Sequence, residues 1–331
     1  MSLSKIAVIS LGGTISSTNK GGNRTGVESS MNADELISSI PQVSQFAEIE
    51  AIPFRMIGST GLSFPDLFSL RDRIEELFLQ GFDGAVVTQG TDTMEETSFF
   101  LNCVIKSDKP VVLTGAMRNP TLPSPDGPAN LLASIQVAAA EQTMGLGTLV
   151  VMNDEIHHSK YVTKTHTSSL STFRSFPLGP LGWVSEGKVR IALRPAAKRV
   201  IFDISPSSKE KEVAFYTVLT GDSGKLLTEI SKLDYDGLVV EAAGGGHVVP
   251  VTIDTLTSIA QKIPVVLASR TRNGEILTKT YSFPGSEIDM IRRGLIPAGA
   301  LNSLKARVLL YLLIRNGTSK QTIKRVFENW L

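Results

Sequence analysis

The sequence predicts an α/β protein: a larger N-terminal domain built on a mostly parallel sheet, and a smaller C-terminal α/β domain. Short apolar runs bounded by Gly, Pro or Asn alternate with longer segments of helical period, the pattern of strands buried on both faces by crossover helices. The chain has 331 residues, more than one core ordinarily fills and about right for two domains. From Gly187 to Glu212 the alternation gives way to mixed basic, Pro- and Ser-rich sequence (Lys188, Arg190, Arg194, Pro195, Lys198, Arg199, then Pro206, Ser207, Ser208, Lys209), which reads as a linker. The boundaries expected are 1–190, a linker over 191–212, and 213–331.

In the first domain the strands are expected at Ile6–Ser10, Ile49–Phe54, Gly84–Thr88, Val111–Thr114 and Thr148–Met152. Between the second and third, Leu67, Leu70, Ile74, Leu77 and Phe78 fall on one helical face. Ser63 stands as its N-cap, Pro65 and Asp66 lie in its first turn, and Gly81 ends it. Leu131 to Ala140, rich in Ala and Leu, is the helix that crosses between the fourth and fifth strands. In the second domain strands are expected near Val213–Val218, Gly237–Glu241 and Val265–Ser269. Its helices are expected near Leu226–Lys232, Ile253–Lys262, Ser303–Arg315 and Gln321–Trp330.

Lys plus Arg (33) and Asp plus Glu (32) almost cancel, so no long-range field gathers nucleic acid or an anionic membrane surface, and a small molecule is the expected partner. The lone Cys103 cannot form an intrachain disulfide and reads as a small core residue on a helix. His157-His158 makes no metal site, because adjacent residues point in different directions and no carboxylate lies at an i+4 position. The N-terminus lacks the charged start, long apolar stretch and cleavage site of a signal peptide, which points to a cytoplasmic location. No apolar run approaches the roughly 20 residues of a membrane span.

In open parallel sheets a ligand sits in the crevice beyond the carboxyl ends of the strands. After the first strand comes Leu11-Gly12-Gly13-Thr14-Ile15-Ser16, and after the third Gln89-Gly90-Thr91-Asp92-Thr93-Met94-Glu95-Glu96. Each places a threonine behind glycine. Glycine lets the backbone turn sharply and approach a ligand with no Cβ in the way, while the hydroxyl projects from the strand end as a candidate nucleophile. Such a hydroxyl attacks only when a neighbour takes its proton and a third group orients that neighbour. Thr163-Lys164-Thr165 is expected in a loop after the fifth strand, opening on the same sheet edge. Lys164 is then the candidate base, with Asp92 placed to hold it. Nucleotide-binding signatures are missing: neither G-x-G-x-x-G nor G-x-x-x-x-G-K-[ST] occurs, and Gly244-Gly245-Gly246 has neither form. His166 and His247 are singletons, His247 beside that glycine run.

Read together, these segments resemble the bacterial-type asparaginase and glutaminase family over essentially the whole chain. Gly12-Gly13-Thr14-Ile15 resembles its first signature and Gly90-Thr91-Asp92-Thr93-Met94-Glu95-Glu96-Thr97 its second. Gly115-Ala116-Met117-Arg118, Asp126-Gly127-Pro128, Met152-Asn153-Asp154 and Val162-Thr163-Lys164-Thr165 fall where the family has similar strings. The resemblance implies Thr14 as a nucleophile on a mobile loop and Thr91, Asp92 and Lys164 as a second, rigid catalytic set. It implies that Ser59 holds a substrate α-carboxylate, that Asp92 meets the α-ammonium, and that Gly13, Gly90 and Ala116 line the site. It further implies a homo-oligomer, a dimer of dimers, whose sites a neighbouring subunit completes through Glu287, and no cofactor or metal.

The sequence also departs from the family. Arg24 stands where a mobile-loop tyrosine is usual, Thr60 replaces a glutamine, Gln89 a histidine-like position, and His247 an asparagine from the neighbour. A guanidinium stays charged and only donates, so Arg24 cannot supply what a tyrosine hydroxyl would. The chemistry expected is attack by a threonine hydroxyl on a carboxamide of asparagine or glutamine, an oxyanion held by backbone N–H groups near Gly13 or Thr91, and release of ammonia. Either threonine could form the covalent bond, or water could attack directly. Hydrolysis of another small amide, lactam or lactone, and a non-catalytic amino-acid-binding relative, are the alternatives. The near-neutral charge speaks against the amidase half of a tRNA-dependent amidotransferase.

Overall fold

A computed structural model describes residues 3–18, 28–29, 33–38, 40–197, 199–205 and 208–330, and the chain divides into two units, Met1–Ile201 and Phe202–Leu331. In the first unit β1 (Ser4–Ser10) is followed by a short antiparallel ribbon, β2 (Ser17–Thr18) with β3 (Glu28–Ser29), and by helix α1 (Ala33–Ser38). Then come β4 (Ala47–Pro53), β5 (Gly84–Thr88), β6 (Val111–Thr114) and β7 (Thr148–Met152). Every residue of β5, β6 and β7 is buried, as strands covered on both faces must be.

Three helices cross between these strands. In α2 (Phe64–Leu79) Ser63 and Asp66 form a reciprocal capping box, and Leu67, Leu70, Ile74, Leu77 and Phe78 are buried as their spacing predicts. Gly81, with φ +92°, turns the chain out of the helix. Burial acts to raise the Asp66 pKa, but hydrogen bonds from Ser63 and the Arg55 guanidinium 2.9 Å away outweigh it, and the net shift is downward. The latter half of the second signature opens α3 (Met94–Val104), with Cys103 wholly buried on it and burial pushing its thiol up. α4 (Gly127–Ala139) starts a turn earlier than its apolar stripe suggested, because Pro128 fits a first turn whose N–H groups lack partners.

Beyond β7 the expectation that Lys164 lies in a loop after the fifth strand is corrected. Asn153 and Asp154 both take left-handed conformations, φ +52° and +61°, and fold the chain directly back into antiparallel β8 (Glu155–His158). Asn and Asp tolerate that conformation better than other non-glycine residues. Lys164 ends β9 (Val162–Lys164), which pairs only with β10 (Phe173–Ser175), with Lys164 opposite Phe173. β11 (Gly182–Ser185) and β12 (Lys188–Ile191) form a second hairpin around Glu186 and Gly187, again left-handed. The basic stretch thus opens as a strand, and Arg199 beyond it donates to the Ser107 carbonyl at 2.9 Å. The sheet runs β12-β11-β8-β7-β6-β5-β1-β4, parallel from β7 to β4.

The second unit carries a parallel sheet in simple order, β13 (Val213–Thr217), β14 (Gly237–Ala242), β15 (Val265–Ser269) and β16 (Ile296–Pro297). Its helices are α5 (Lys225–Ile230), α6 (Ile253–Lys262), α7 (Glu287–Arg292), α8 (Ser303–Arg315) and α9 (Lys320–Glu328). The six-residue α7 and two-residue β16 are too short for periodicity to reveal. Among the described residues no helix is long and apolar enough to cross a membrane.

The β9–β10 ribbon is too small to be stable alone and leans on the large sheet. His157 of β8, 1% exposed, meets Ser175 of β10 through Nδ1 and Oγ at 2.9 Å. Its Nε2 faces Glu155 Oε2 at 3.4 Å without hydrogen-bond geometry. Burial, reinforced by Arg174, lowers the His157 pKa from 6.5 to about 4. The unfolded chain therefore binds one proton more between those values, so stability falls as the pH drops from 6.5 towards 4. That loss is about 3 kcal/mol. Urea unfolding at a series of pH values should show a shallower acid-side decline in His157→Gln than in the parent, whereas parallel declines would contradict the assignment.

Candidate functional site

Counted along the sheet, the parallel strands stand in the order second, first, third, fourth, fifth, so the winding direction reverses between β1 and β5. Loops leaving the two strands on either side of such a point open a crevice at their carboxyl ends. The hydrogen-bond ladder continues past the strand ends: Leu11 N–H donates to the Thr88 carbonyl and Gln89 N–H to that of Thr114, both at 2.9 Å, and Ile57 N–H to Leu11 at 3.1 Å. The first and second signatures are thereby laid side by side.

Glycine is what lets them touch. Gly13 has φ +94°, and a Cβ built there would lie 2.6 Å from the Gly90 Cα. A Cβ on Gly90 would lie 3.0 Å from Ser59 Oγ, and one on Gly115 would lie 2.5 Å from the Gln89 carbonyl oxygen and 3.2 Å from Thr91 Cγ2. The loops after β1, β4, β5 and β6 therefore meet at main-chain distance. Thr14 follows Gly13 on a single 3-10 turn and is half-buried.

Against this stack the β9–β10 ribbon delivers Lys164. Its Nζ donates to Thr91 Oγ1 at 2.8 Å and to Asp92 Oδ1 at 2.6 Å. The Lys164 side chain is 13% exposed and that of Asp92 66%, so the amine is largely screened from water while the carboxylate keeps a face open to a ligand. A hydroxyl, an amine and a carboxylate in contact are what a proton-transfer set requires.

Two residues that sequence reasoning left unassigned brace the wall after β6. Asp126 accepts from Met117 N–H at 3.0 Å and Arg118 N–H at 2.8 Å. Asn130 donates to the Gly115 carbonyl at 3.0 Å and accepts from Asn153 N–H at 2.9 Å. The motif strings around Ala116, Asp126 and Asn153 are thus one hydrogen-bonded unit, though nothing in the three strings themselves says that they touch.

The remaining predicted residues differ in their surroundings. Ser59 is buried beside Gly90, while Thr60 points to solvent. Gln89 is wholly buried, and its amide turns inward to Thr93 and Thr97. The Ala116 side chain belongs to the hydrophobic core. Arg24 lies outside the described residues.

In the second unit His247 and Glu287 come together, Nε2 to Oε2 at 3.3 Å without hydrogen-bond geometry. The His247 ring sits 5.0 Å from that of Tyr281 and 5.2 Å from that of Phe283. Burial acts to raise the Glu287 pKa, but backbone N–H groups, that of Tyr281 foremost, overcome it and hold the carboxyl below its usual range. Among the described residues no group of three or more His, Cys, Asp or Glu side chains is placed to hold a metal ion.

Residues 5–197 match the family described as "Asparaginase, N-terminal", and residues 212–327 match the "Glutaminase/Asparaginase C-terminal domain". The L-asparaginase 2 of Escherichia coli is 33% identical over 339 residues, covering 100% of this chain and 94% of that protein. The Probable L-asparaginase of Deinococcus radiodurans is 36% identical over 330 residues, covering 98% of each. The crystal structure of the Probable Cytoplasmic L-asparaginase from Campylobacter jejuni matches with a TM-score of 0.90 at 32% identity, covering 98% of this chain and 99% of that one.

The close glycine contact makes a contrast testable. Gly13→Ala must move Thr14 against Gly90, and a displacement of ångström size should lower amide turnover about 100-fold. Gly58→Ala, where a Cβ meets nothing within 4 Å, should keep turnover within about twofold of the parent. Steady-state rates for the two variants check this, and equal rates would contradict it.

Proposed function

Since the chain belongs to the asparaginase and glutaminase family and is a hydrolase of amide bonds, we propose that it hydrolyses the side-chain carboxamide of asparagine to aspartate and ammonia through a threonine nucleophile. The observation that carries this reading is the Lys164 amine within hydrogen-bond reach of both Thr91 Oγ1 and Asp92 Oδ1. In the proposed sequence Thr14 Oγ1 attacks the carboxamide carbon, its proton leaves with ammonia, and a Thr14 ester remains. Water then attacks the ester carbon, one of its protons moving along the Thr91–Lys164 contact and on to the departing Thr14 oxygen as the ester C–O bond breaks, so that Thr14 is restored and aspartate is released. Main-chain N–H groups near Gly13 and Thr91 hold the negative oxygen in both steps.

Ser59, buried against Gly90, is the proposed seat of the α-carboxylate. Asp92, with most of its carboxylate open, is the proposed partner of the α-ammonium. We assign His247 and Glu287 to the site of a second copy of the chain, in a dimer of dimers. The buried Glu287, whose carboxyl is held below its usual range and whose Oε2 accepts no hydrogen bond among the described residues, supports a cationic ligand there. A cytoplasmic location belongs to the same proposal, supported by the description of the Campylobacter protein.

Thr14→Val and Thr91→Val keep the shape of each side chain and delete its hydroxyl. Each should lower the rate of ammonia release from asparagine by about 100-fold or more. Only the parent and Thr91→Val should yield an acyl adduct on the Thr14 peptide when quenched and weighed by mass spectrometry. Near-full ammonia release by either variant would refute that threonine's role.

A further inference from the structure

We propose that Gln89, buried, and Thr93, half-buried, form a relay that fixes the Ser59 main chain, making both positioning residues for substrate affinity though neither touches the substrate. This rests on Ser59 as the carboxylate seat. Thr93 Oγ1 lies 3.0 Å from the Ser59 carbonyl oxygen and 3.3 Å from Gln89 Nε2. A hydroxyl has one hydrogen, and a carbonyl only accepts, so that hydrogen is committed to Ser59. The contact with Gln89 must then be donated by the amide, which sets Nε2 towards Thr93 and towards Thr97 Oγ1 at 3.1 Å. The opposite atom, Oε1, is buried and has no hydrogen-bond partner among the described residues. The Thr93 hydroxyl, its hydrogen already given to Ser59, is thereby what sets the amide's orientation.

The arrangement links two pieces of the site. Ser59 opens a three-residue 3-10 turn, Ser59–Gly61, and Thr93 closes another, Thr91–Thr93. The turn that presents Thr91 and Asp92 therefore also grips the turn that presents Ser59, from a segment 34 residues away in sequence. Besides the Gly90–Ser59 approach, this hydroxyl bridge ties the Ser59 turn to the Thr91 turn, and Gln89 keeps the bridge pointing the right way. Loss of the bridge frees the seat while leaving the Lys164–Thr91–Asp92 contacts in place, so its signature is weaker binding with the chemical step intact.

Steady-state kinetics with asparagine test this on the full-length protein. Thr93→Val should raise KM about 10-fold, the equivalent of one hydrogen bond, with kcat within about twofold of the parent; Thr93→Ser, which keeps the hydroxyl, should restore KM. Gln89→Met removes the donor at similar volume and should raise KM in the same direction, and it serves as the test should Thr93→Val fail to fold. Ser59→Ala separates the two ideas. If Ser59→Ala raises KM and Thr93→Val does not, or if Thr93→Val lowers kcat at constant KM, the relay is overturned. If Ser59→Ala itself leaves KM unchanged, the carboxylate seat is elsewhere and the relay falls with it.

Discussion

Two stretches of main chain pass one another at Gly13 and Gly90 more closely than any side chain would allow, and the geometry of the candidate site depends on that approach. A Cβ at Gly13 would overlap the Gly90 backbone, and a Cβ at Gly90 would crowd Ser59. Because the strands feeding these loops flank the point where the sheet reverses its winding, the loops project from the same edge. The polar elements of the proposed reaction, two hydroxyls, a carboxylate and a carboxylate seat, follow from stacking loops whose separation is set by bare backbone.

The amine arrives by a different route. Lys164 is carried on a two-stranded ribbon outside the parallel sheet, and the ribbon is moored by a buried histidine–serine contact. Acid therefore bears on the fold where the ribbon is attached, since protonating His157 puts a charge where little water reaches it. The loop stack and the ribbon are separate devices, and only where they meet do a hydroxyl, an amine and a carboxylate share one hydrogen-bond network.

What the sequence discloses divides along the range of the signals. The parallel strands and α2 are visible because their determinants are local: an unbroken apolar run, a serine cap with its aspartate three residues on, a glycine at the end. The Gly-Thr loops that bring Thr14 and Thr91 to one edge are visible because each follows an apolar strand directly and the signatures are contiguous. The route to Lys164 is not, since it turns on two left-handed residues, Asn153 and Asp154, and on strands of three or four residues. Thr93 leaves no trace at all, because its partner is a main-chain carbonyl and any residue could supply that. His247 and Glu287 became candidates through family resemblance, and no local pattern announces that they face each other.

Thr91 and Lys164 act as one unit in the proposed reaction, and a double-mutant cycle on kcat for asparagine measures that directly. Groups that act together are not additive: the Thr91→Val/Lys164→Met double variant should be no slower than the slower of the two single variants. A double variant whose loss equals the product of the two single losses would show the two residues working independently, and would contradict the account.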